Sequence, residues 1–437
     1  MREVRVGLIG WGTIGTGVVK LLQRNRAQLC DRLGVPLTLA GIADLDLSTD
    51  RGVRVDRRLL TKDAGKLLSD PEIDIIVELI GGYEPARRFV LQAIKNDKAV
   101  VTANKALLAI HGEEIFQAAE RAGVDVGFEA SVGGGIPIIR TLKEGLPGDR
   151  NRAVYGIVNG TSNYILSTMT SRGEEFGDVL RRAQADGLAE ADPTFDIDGI
   201  DAAHKLVLLI QLAFGVGVRF KDVPIEGIRH VSAVDIAFAR EFGYVIKLLA
   251  IAKADDDGIE ARVHPTMVPQ THLLADVNGA YNAIVVDGEA LGASMYIGLG
   301  AGMMPTATAV VADLVEVARN RLCGTRNRIA PLGLPVAKLK RARVKPLADL
   351  LSQYYLRFMV FDRPGVLAQL AGILGRNGIS IASVMQRARE HGSTVPVVIR
   401  THEARERNLV RALKAIAKLA PVKARPVVIR IEDSLGA

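Results

Sequence analysis

The sequence holds little sulfur and few aromatic rings. Two cysteines in 437 residues, Cys30 and Cys323, exclude a disulfide framework and a four-thiolate zinc site. Both thiols are expected to be free, in a reducing compartment. Neither stands in a nucleophile-like setting: Cys30 ends the long first helical stretch and Cys323 follows another. A thioester-forming aldehyde dehydrogenase needs a reactive thiolate, so that chemistry is disfavoured. The seven histidines are scattered, with His264 and His272 the closest pair and no H-x-x-x-H spacing for zinc. Long apolar runs are missing as well. The longest, Val207 to Val218, spans twelve residues with a glutamine inside, which is too short to cross a bilayer and suits a buried helix. A strand-like run begins already at Val4, leaving no room for a signal peptide. The expectation is a soluble cytoplasmic protein with no membrane partner.

Hydrophobic residues at 48% and charged residues at 24% describe a globular chain with ample core. Its length suggests about three domains. The net charge of +7 is unevenly spread: residues 331–437 carry 19 Lys+Arg against 7 Asp+Glu, and the remainder is slightly acidic. A basic end could bind nucleic acid, but a solvated basic face on a small domain explains it as well.

Strand-like runs at Val4–Ile9, Leu37–Ala43, Ile73–Ile80, Ala99–Thr102 and Val124–Phe128 alternate with helical stretches. That alternation predicts right-handed crossovers and a parallel sheet. From about 138 to 303 the pattern is less regular. Helices are expected at Ser162–Thr170, Phe176–Ala185, Ile200–Phe214 and Asp235–Phe242, with extended runs at Val154–Val158, Tyr244–Ala252, Ile259–Val268 and Ala283–Val286. This reads as an α+β domain. A helix at Thr306–Arg319 follows a glycine-rich loop, and residues 331–352, rich in proline and basic residues, read as a linker. Beyond it come strand Tyr354–Phe361, helix Val366–Asn377, strands Ser380–Arg387 and Thr394–Arg400, helix Ala404–Leu419 and strand Pro426–Ile431. The order β-α-β-β-α-β is the ferredoxin-like split unit.

Gly10-Trp-Gly12-Thr13-Ile14-Gly15 follows a buried strand and opens a helix expected over Thr16–Leu22. In that setting G-x-G-x-x-G is a dinucleotide fingerprint, with the helix N-terminus facing the phosphates. The acid that holds the ribose hydroxyl normally lies about 20 residues on; the candidate here is Asp44, 29 positions after Gly15. Asp44 favours NAD by repelling a 2′-phosphate, while Arg51 beyond it offsets that, so NAD and NADP both stay open. Ligands of such sheets bind at the carboxyl ends of the strands. The loops expected there are Ile80-Gly-Gly82, Thr102-Ala-Asn-Lys105 and Glu129-Ala-Ser-Val132-Gly-Gly134-Gly-Ile136. Further on, Asp186 to Lys205 is dense in carboxylates, including Glu190, Asp192, Asp196, Asp198 and Asp201. Acids at a helix start suit the macrodipole. A lysine entering an apolar helix is costly unless paired, and Asp201 lies four residues before Lys205, on the same face. Such a lysine is a candidate proton donor, with Lys105 as its competitor. In Asn159-Gly-Thr161-Ser-Asn-Tyr164, Asn159-Gly160 could form a hairpin turn. The hydroxyls that follow read better as a helix cap, whose N-terminus a substrate carboxylate could use.

These segments, with Gly300-Ala-Gly302, Asp362-Arg-Pro-Gly-Val366 and Ile379-Ser-Ile-Ala, resemble homoserine dehydrogenase with a C-terminal ACT domain. The resemblance covers essentially the whole chain. It implies reversible NAD(P)H-dependent reduction of L-aspartate 4-semialdehyde to L-homoserine, on the route to threonine, methionine and isoleucine. Lys205 would be the proton donor, its pKa pulled below the free value of about 10.4 by desolvation, with Asp201 beside it. Lys105, Glu190, Asp196 and Thr161 would bind substrate. Gly10, Gly12, Thr13, Ile14, Gly15, Asp44, Thr102, Lys105 and Gly302 would contact the cofactor. A sodium ion would be held by Glu129 and by backbone oxygens of Val132, Gly134 and Ile136. The implied domains are 1–137 with about 304–330 for the dinucleotide, 138–303 for substrate and dimerisation, and 353–437 as a regulatory module sensing threonine, in a homodimer or homotetramer. Two competing readings are a dehydrogenase of another small amino-acid-like substrate and a dinucleotide-sensing nucleic-acid-binding regulator. The absence of a helix-turn-helix pattern argues against the second.

Overall fold

A computed structural model describes residues 3–386 and 394–436. The chain divides into two compact units. The first is Met1–Gly160 with Asp201–Asp222 and Ala280–Ala342; the second is Thr161–Ile200 with Val223–Gly279 and Arg343–Ala437.

The first unit is built on the strands Val4–Ile9 (β1), Leu37–Ala43 (β2), Leu60–Thr61 (β3), Ile75–Glu78 (β4), Ala99–Thr102 (β5) and Val126–Gly127 (β6). They pair in parallel in the order β3-β2-β1-β4-β5-β6. The order reverses between β1 and β4, the switch point at which open α/β sheets bind ligands. The helices here are Thr13–Arg24 (α1), Arg26–Leu33 (α2), Ala64–Ser69 (α3), Ala86–Lys95 (α4) and Lys105–Ala122 (α5). The first helix begins three residues earlier than its apolar pattern predicts. The long helical stretch is two helices broken at Asn25, the second closed by Gly34 in the left-handed region (φ 75°). That extra helix accounts for the wide spacing from Gly15 to Asp44. β4 and β6 are shorter than expected, and β3 and α3 are additional short elements.

The helix Met303–Leu322 packs on α1 so closely that a Cβ on Gly17 would lie 2.7 Å from the Met303 carbonyl oxygen and 2.9 Å from the Ala307 Cβ. Val18, Val19, Ala307, Val310 and Leu314 share one core. The unit also holds an antiparallel set, Asn151–Ile157 with Tyr281–Gly288 and the latter with Gly292–Leu299. Helix Ile200–Phe214 is buried continuously from Asp201 to Ala213, as an all-round apolar helix must be. After the long helix the chain stays bound to this unit. Val336 N donates to the Glu120 carboxylate at 2.9 Å, and Lys340–Arg341 pairs with Val216–Gly217.

In the second unit Tyr244–Asp255 and Gly258–Pro269 form a long antiparallel hairpin. The C-terminal module has strands Leu351–Phe361, Ile381–Gln386, Thr394–Thr401 and Val427–Ile431, with helices Val366–Arg376 and Glu406–Ile416. The β-α-β-β-α-β order expected from the sequence is present, with one apolar core from Tyr354, Phe358, Leu370, Ile399 and Leu409. Arg387, the expected end of the strand beginning at Ser380, lies outside the described residues. Val427–Ile431 joins the hairpin in parallel through Thr266 and Met267, so the module and the hairpin share one sheet.

Candidate active site

The glycine loop runs directly from β1 into α1. A Cβ on Gly15 would stand 2.2 Å from the Gly10 carbonyl oxygen, whereas at Gly12 it would meet nothing within 4 Å. The third glycine therefore closes the turn, and the second leaves open space in which a phosphate can approach the backbone. Thr13 and Ile14 begin α1, whose free N–H groups favour an anion. Over these strand ends lies an open cleft of about 860 Å³, lined by Gly10, Gly12, Asp44, Ile80 and Gly81 among others. The shape and donor chemistry fit a dinucleotide.

Asp44 follows β2 as expected. Its carboxylate accepts from Trp11 N of the glycine loop and, at 2.8 Å, from Asp46 N. Arg51 lies across the same loop. It donates to the Trp11 carbonyl oxygen, and its guanidinium sits 4.6 Å from the Trp11 ring centroid.

At the ends of β4 and β5, the Thr102 hydroxyl donates to the buried Glu78 carboxylate at 2.7 Å. With its hydroxyl so engaged, Thr102 would contact a cofactor through its backbone. Burial pushes the Glu78 carboxyl up, opposed by hydrogen bonds from Thr102, Ile80 and Gly81. Asn104 caps α5, accepting from Leu107 N at 3.1 Å, and Lys105 is the helix's first residue.

Lys205 projects from the first turns of helix Ile200–Phe214. Its Nζ donates to Asp201 Oδ2 at 2.7 Å and to the Val158 carbonyl oxygen at 2.6 Å. Lys105 Nζ lies 3.2 Å from Asp201 Oδ1, and Asn159 Nδ2 donates to Asp201 Oδ2 at 2.8 Å. The two lysines that compete on sequence therefore lie against one carboxylate. Lys205 is nearly closed off, its side chain 9% exposed, while that of Lys105 is 35% exposed. Burial alone would raise the Asp201 carboxyl. The ammonium groups of Lys205 and Lys105, with hydrogen bonds from Lys205 and Asn159, hold it well below the usual carboxylate range. Next to Lys205, His204 stacks on Phe220 at 4.2 Å, and burial pulls its imidazole down to about 4, so it is neutral at pH 7.

Glu129 is buried, its two carboxylate oxygens accepting from Ile139 N and Arg140 N at 2.8 Å each. Its own N–H donates to Asp313 Oδ2 at 2.8 Å. The loop onward is tight: a Cβ on Gly134 would lie 2.5 Å from the Gly300 carbonyl oxygen. The Ile136 carbonyl accepts from Ile138 N at 2.8 Å. Among the described residues no three His, Cys, Asp or Glu side chains are grouped for a metal ion. A cation here would depend mainly on backbone oxygens and on the lone pairs Glu129 retains, an all-oxygen set that suits a hard cation. Gly302 caps the helix Met303–Leu322.

The other expected substrate residues belong to the second unit. The Thr161 hydroxyl donates to the Leu188 carbonyl oxygen at 3.0 Å, and Ser162 Oγ to the Asp196 carbonyl oxygen at 3.0 Å. Gln184 Nε2 donates to the Glu190 carbonyl oxygen at 3.1 Å, and the Glu190 side chain is exposed. The start of helix Gly160–Arg172 thus braces the acid-rich segment. Glu78, Asn104 and Asn159 were not assigned roles from sequence. The available signals were an acid at the end of an apolar strand and asparagines inside two of the motifs.

Three family models cover most of the chain: the homoserine dehydrogenase NAD-binding domain over residues 10–129, homoserine dehydrogenase over 137–315 and the ACT domain over 354–420. Homoserine dehydrogenase of Pseudomonas aeruginosa is 46% identical over 436 residues, 99% of this chain and 100% of the relative. The crystal structure of a homoserine dehydrogenase from Thiobacillus denitrificans superposes with a TM-score of 0.92 at 46% identity, covering 99% of each chain. A hyperthermophilic archaeal homoserine dehydrogenase mutant in complex with NADPH matches at a TM-score of 0.62 and 25% identity, covering 72% of this chain and 98% of the other.

Proposed function

The chain belongs to the homoserine dehydrogenase family, and on that premise we propose that Lys205, Asp201 and Lys105 form its proton-handling centre. The protein is an NAD(P)-dependent oxidoreductase acting on a CH–OH group, converting L-aspartate 4-semialdehyde and L-homoserine into one another. When bound, the nicotinamide cofactor supplies the hydride to the aldehyde carbon. The chain's own residues must receive the charge that then develops on the aldehyde oxygen. Lys205 stabilises that oxygen and gives it one proton, and the amine regains its proton from solvent. Asp201 stays ionised and holds both ammonium groups in place. Lys105, the more exposed of the two, binds substrate; Glu190, Asp196 and Thr161 are the substrate-binding candidates that the family resemblance offers in the second unit. The observation that carries this reading is the single carboxylate within 2.7 Å of one lysine and 3.2 Å of the other.

Glu129 with the backbone oxygens of Val132, Gly134 and Ile136 would hold a sodium ion, fixing the loop that leads out of β6. On the cofactor, Asp44 favours NAD, and Arg51, folded over the glycine loop beside it, makes NADP acceptable. The neighbour solved with NADPH supports the second half of that statement. The ACT module takes an amino-acid effector, which we assign as threonine. Asp362 and Gly365 before helix Val366–Arg376, and Asn377 and Gly378 after it, are the candidate contacts. The assembly is a homodimer or homotetramer in the cytoplasm; among the described residues no helix is long and apolar enough to cross a membrane.

Initial rates of L-aspartate 4-semialdehyde reduction, with NADH and with NADPH and with or without millimolar threonine, test these points together. The semialdehyde should be reduced faster than other small aldehydes, with both cofactors, and threonine should slow it. Indifference to threonine and other amino acids would reduce the ACT module to an assembly element.

A further inference from the structure

Glu78 ends β4 with 0% exposure. Its register partners are Thr102 at the end of β5 and Ile9 of β1, so it sits in the middle of the parallel sheet, under the cleft. A carboxylate there is costly unless its oxygens are satisfied. The partners come from two different loops. Oε1 accepts from Ile80 N at 2.9 Å and from Gly81 N at 3.2 Å. Oε2 accepts from the Thr102 hydroxyl at 2.7 Å, and Thr102 Oγ1 in turn accepts from Asn104 N at 3.0 Å. Asn104 spans the same gap from the other side. Its Nδ2 donates to the Gly82 carbonyl oxygen at 2.7 Å while its Oδ1 caps α5. The next residue is Lys105, whose Nζ stands 3.2 Å from Asp201. Gly81 and Gly82 both adopt left-handed backbone (φ 73° and 70°), and a Cβ on either would meet nothing within 4 Å. The turn is therefore held from its two ends, by Glu78 and by Asn104.

We infer that Glu78 is a positioning residue for Lys105: through Thr102 and Asn104 it fixes the Gly81–Gly82 turn of the cleft wall and the first turn of α5 as one piece. This rests on the reading of Lys105 as part of the reaction centre. Glu78 touches neither substrate nor cofactor in this role. An ionised carboxylate can accept all three donors at once, whereas an amide presents N–H groups to one side. In Glu78→Gln, either the Ile80–Gly81 pair or the Thr102 hydroxyl then loses its acceptor, with little change in volume.

The test is a double-mutant cycle on kcat/KM for L-aspartate 4-semialdehyde with NADPH, using Glu78→Gln, Lys105→Ala and the pair. Small misplacements of a reacting group are expensive, so Glu78→Gln should lose about 30-fold. Because Glu78 acts through Lys105, the double variant should be no worse than Lys105→Ala alone, within about threefold. A purely structural role would instead lower the melting temperature without this non-additivity. Wild-type kcat/KM in Glu78→Gln, or a double variant losing the product of the two single losses, overturns the inference. An unimpaired Lys105→Ala would overturn the reading of Lys105 and the inference with it; an impaired Lys105→Ala with multiplicative losses overturns the inference alone. Should Glu78→Gln fail to fold, Asn104→Asp enters the same cycle. It keeps the cap acceptor and sets an oxygen against the Gly82 carbonyl, and the same non-additivity is expected, with multiplicative losses again overturning the inference.

Discussion

Each unit of the chain buries carboxylates among cations, and the two clusters are built from different materials. In the first unit Asp201 lies between two lysines, one of them with a partly exposed side chain. In the second, Arg430 donates four hydrogen bonds of 2.6–3.0 Å to Glu226 and Glu406. Nearby, Arg262 donates to Glu432 at 2.7 Å and to His264 at 2.9 Å. The Arg430, Glu406, Arg262 and Glu432 side chains are each 8% exposed or less. Arginine stays charged at any pH a protein experiences, and its planar fork suits fixed two-point pairing. Lysine is a point charge that can give up a proton. Burial of charge is common to both clusters, so burial alone does not single out the proposed reaction centre. The proposed centre differs in its cations, lysines able to release a proton, one of them with a side chain 35% exposed. The arginine cluster instead stitches Val427–Ile431 of the ACT module to the long hairpin, where that strand also pairs with Thr266 and Met267.

Removing charge from each cluster sharpens that contrast. Lys205→Ala should lower kcat by about 10³-fold, the range of a positioned acid, with the dissociation constant for NADPH, read by fluorescence, unchanged. Near-normal turnover would dissolve the distinction between the clusters. Asp201→Asn keeps shape and removes the shared charge, and should cost about 10²-fold in kcat/KM. Its pH dependence has a definite sign. The Asp201 pKa is depressed in the fold, so its stabilisation is complete above the ordinary carboxylate value and is lost progressively as pH falls from that value towards the lower folded one. The stability gap between wild type and Asp201→Asn, followed by denaturant melts, should stay flat from pH 7 to about 5 and close below about 4. Arg430→Met should leave kcat per folded molecule within about twofold while costing about 3 kcal/mol of stability, since Glu406 is left buried without its cation. Loss of turnover in that variant at unchanged stability would move the chemistry to the wrong cluster.

The architecture was largely legible, because apolar runs and turn residues report local structure directly. The strands Val4–Ile9, Leu37–Ala43 and Ala99–Thr102 stand where alternation with helices placed them, and the C-terminal module keeps its order of elements. Gly292–Leu299 was missed because its residues are half-buried or exposed throughout, so it lacks the two-fold alternation that marks a strand. The meeting of Asp201 with Lys205 follows from their spacing on one helix. The arrival of Lys105 at the other oxygen does not, since it depends on how two distant segments pack. Glu78 was hidden for a related reason. Within Ile75–Glu78 it reads as the polar end of a strand, and its meaning depends on the register that sets it beside Thr102. Asp44 illustrates the limit from the other side: its position after β2 was readable, but the turn that aims its carboxylate at the glycine loop was not.

The most direct test is a crystal structure of the protein with NADP+ and L-homoserine bound together. The homoserine hydroxyl oxygen should lie about 3 Å from Lys205 Nζ, the distance a proton transfer requires, with Asp201 still between the two lysines. A complex in which that hydroxyl is held by other groups, and the Lys205 nitrogen reaches it neither directly nor through one water, would contradict it.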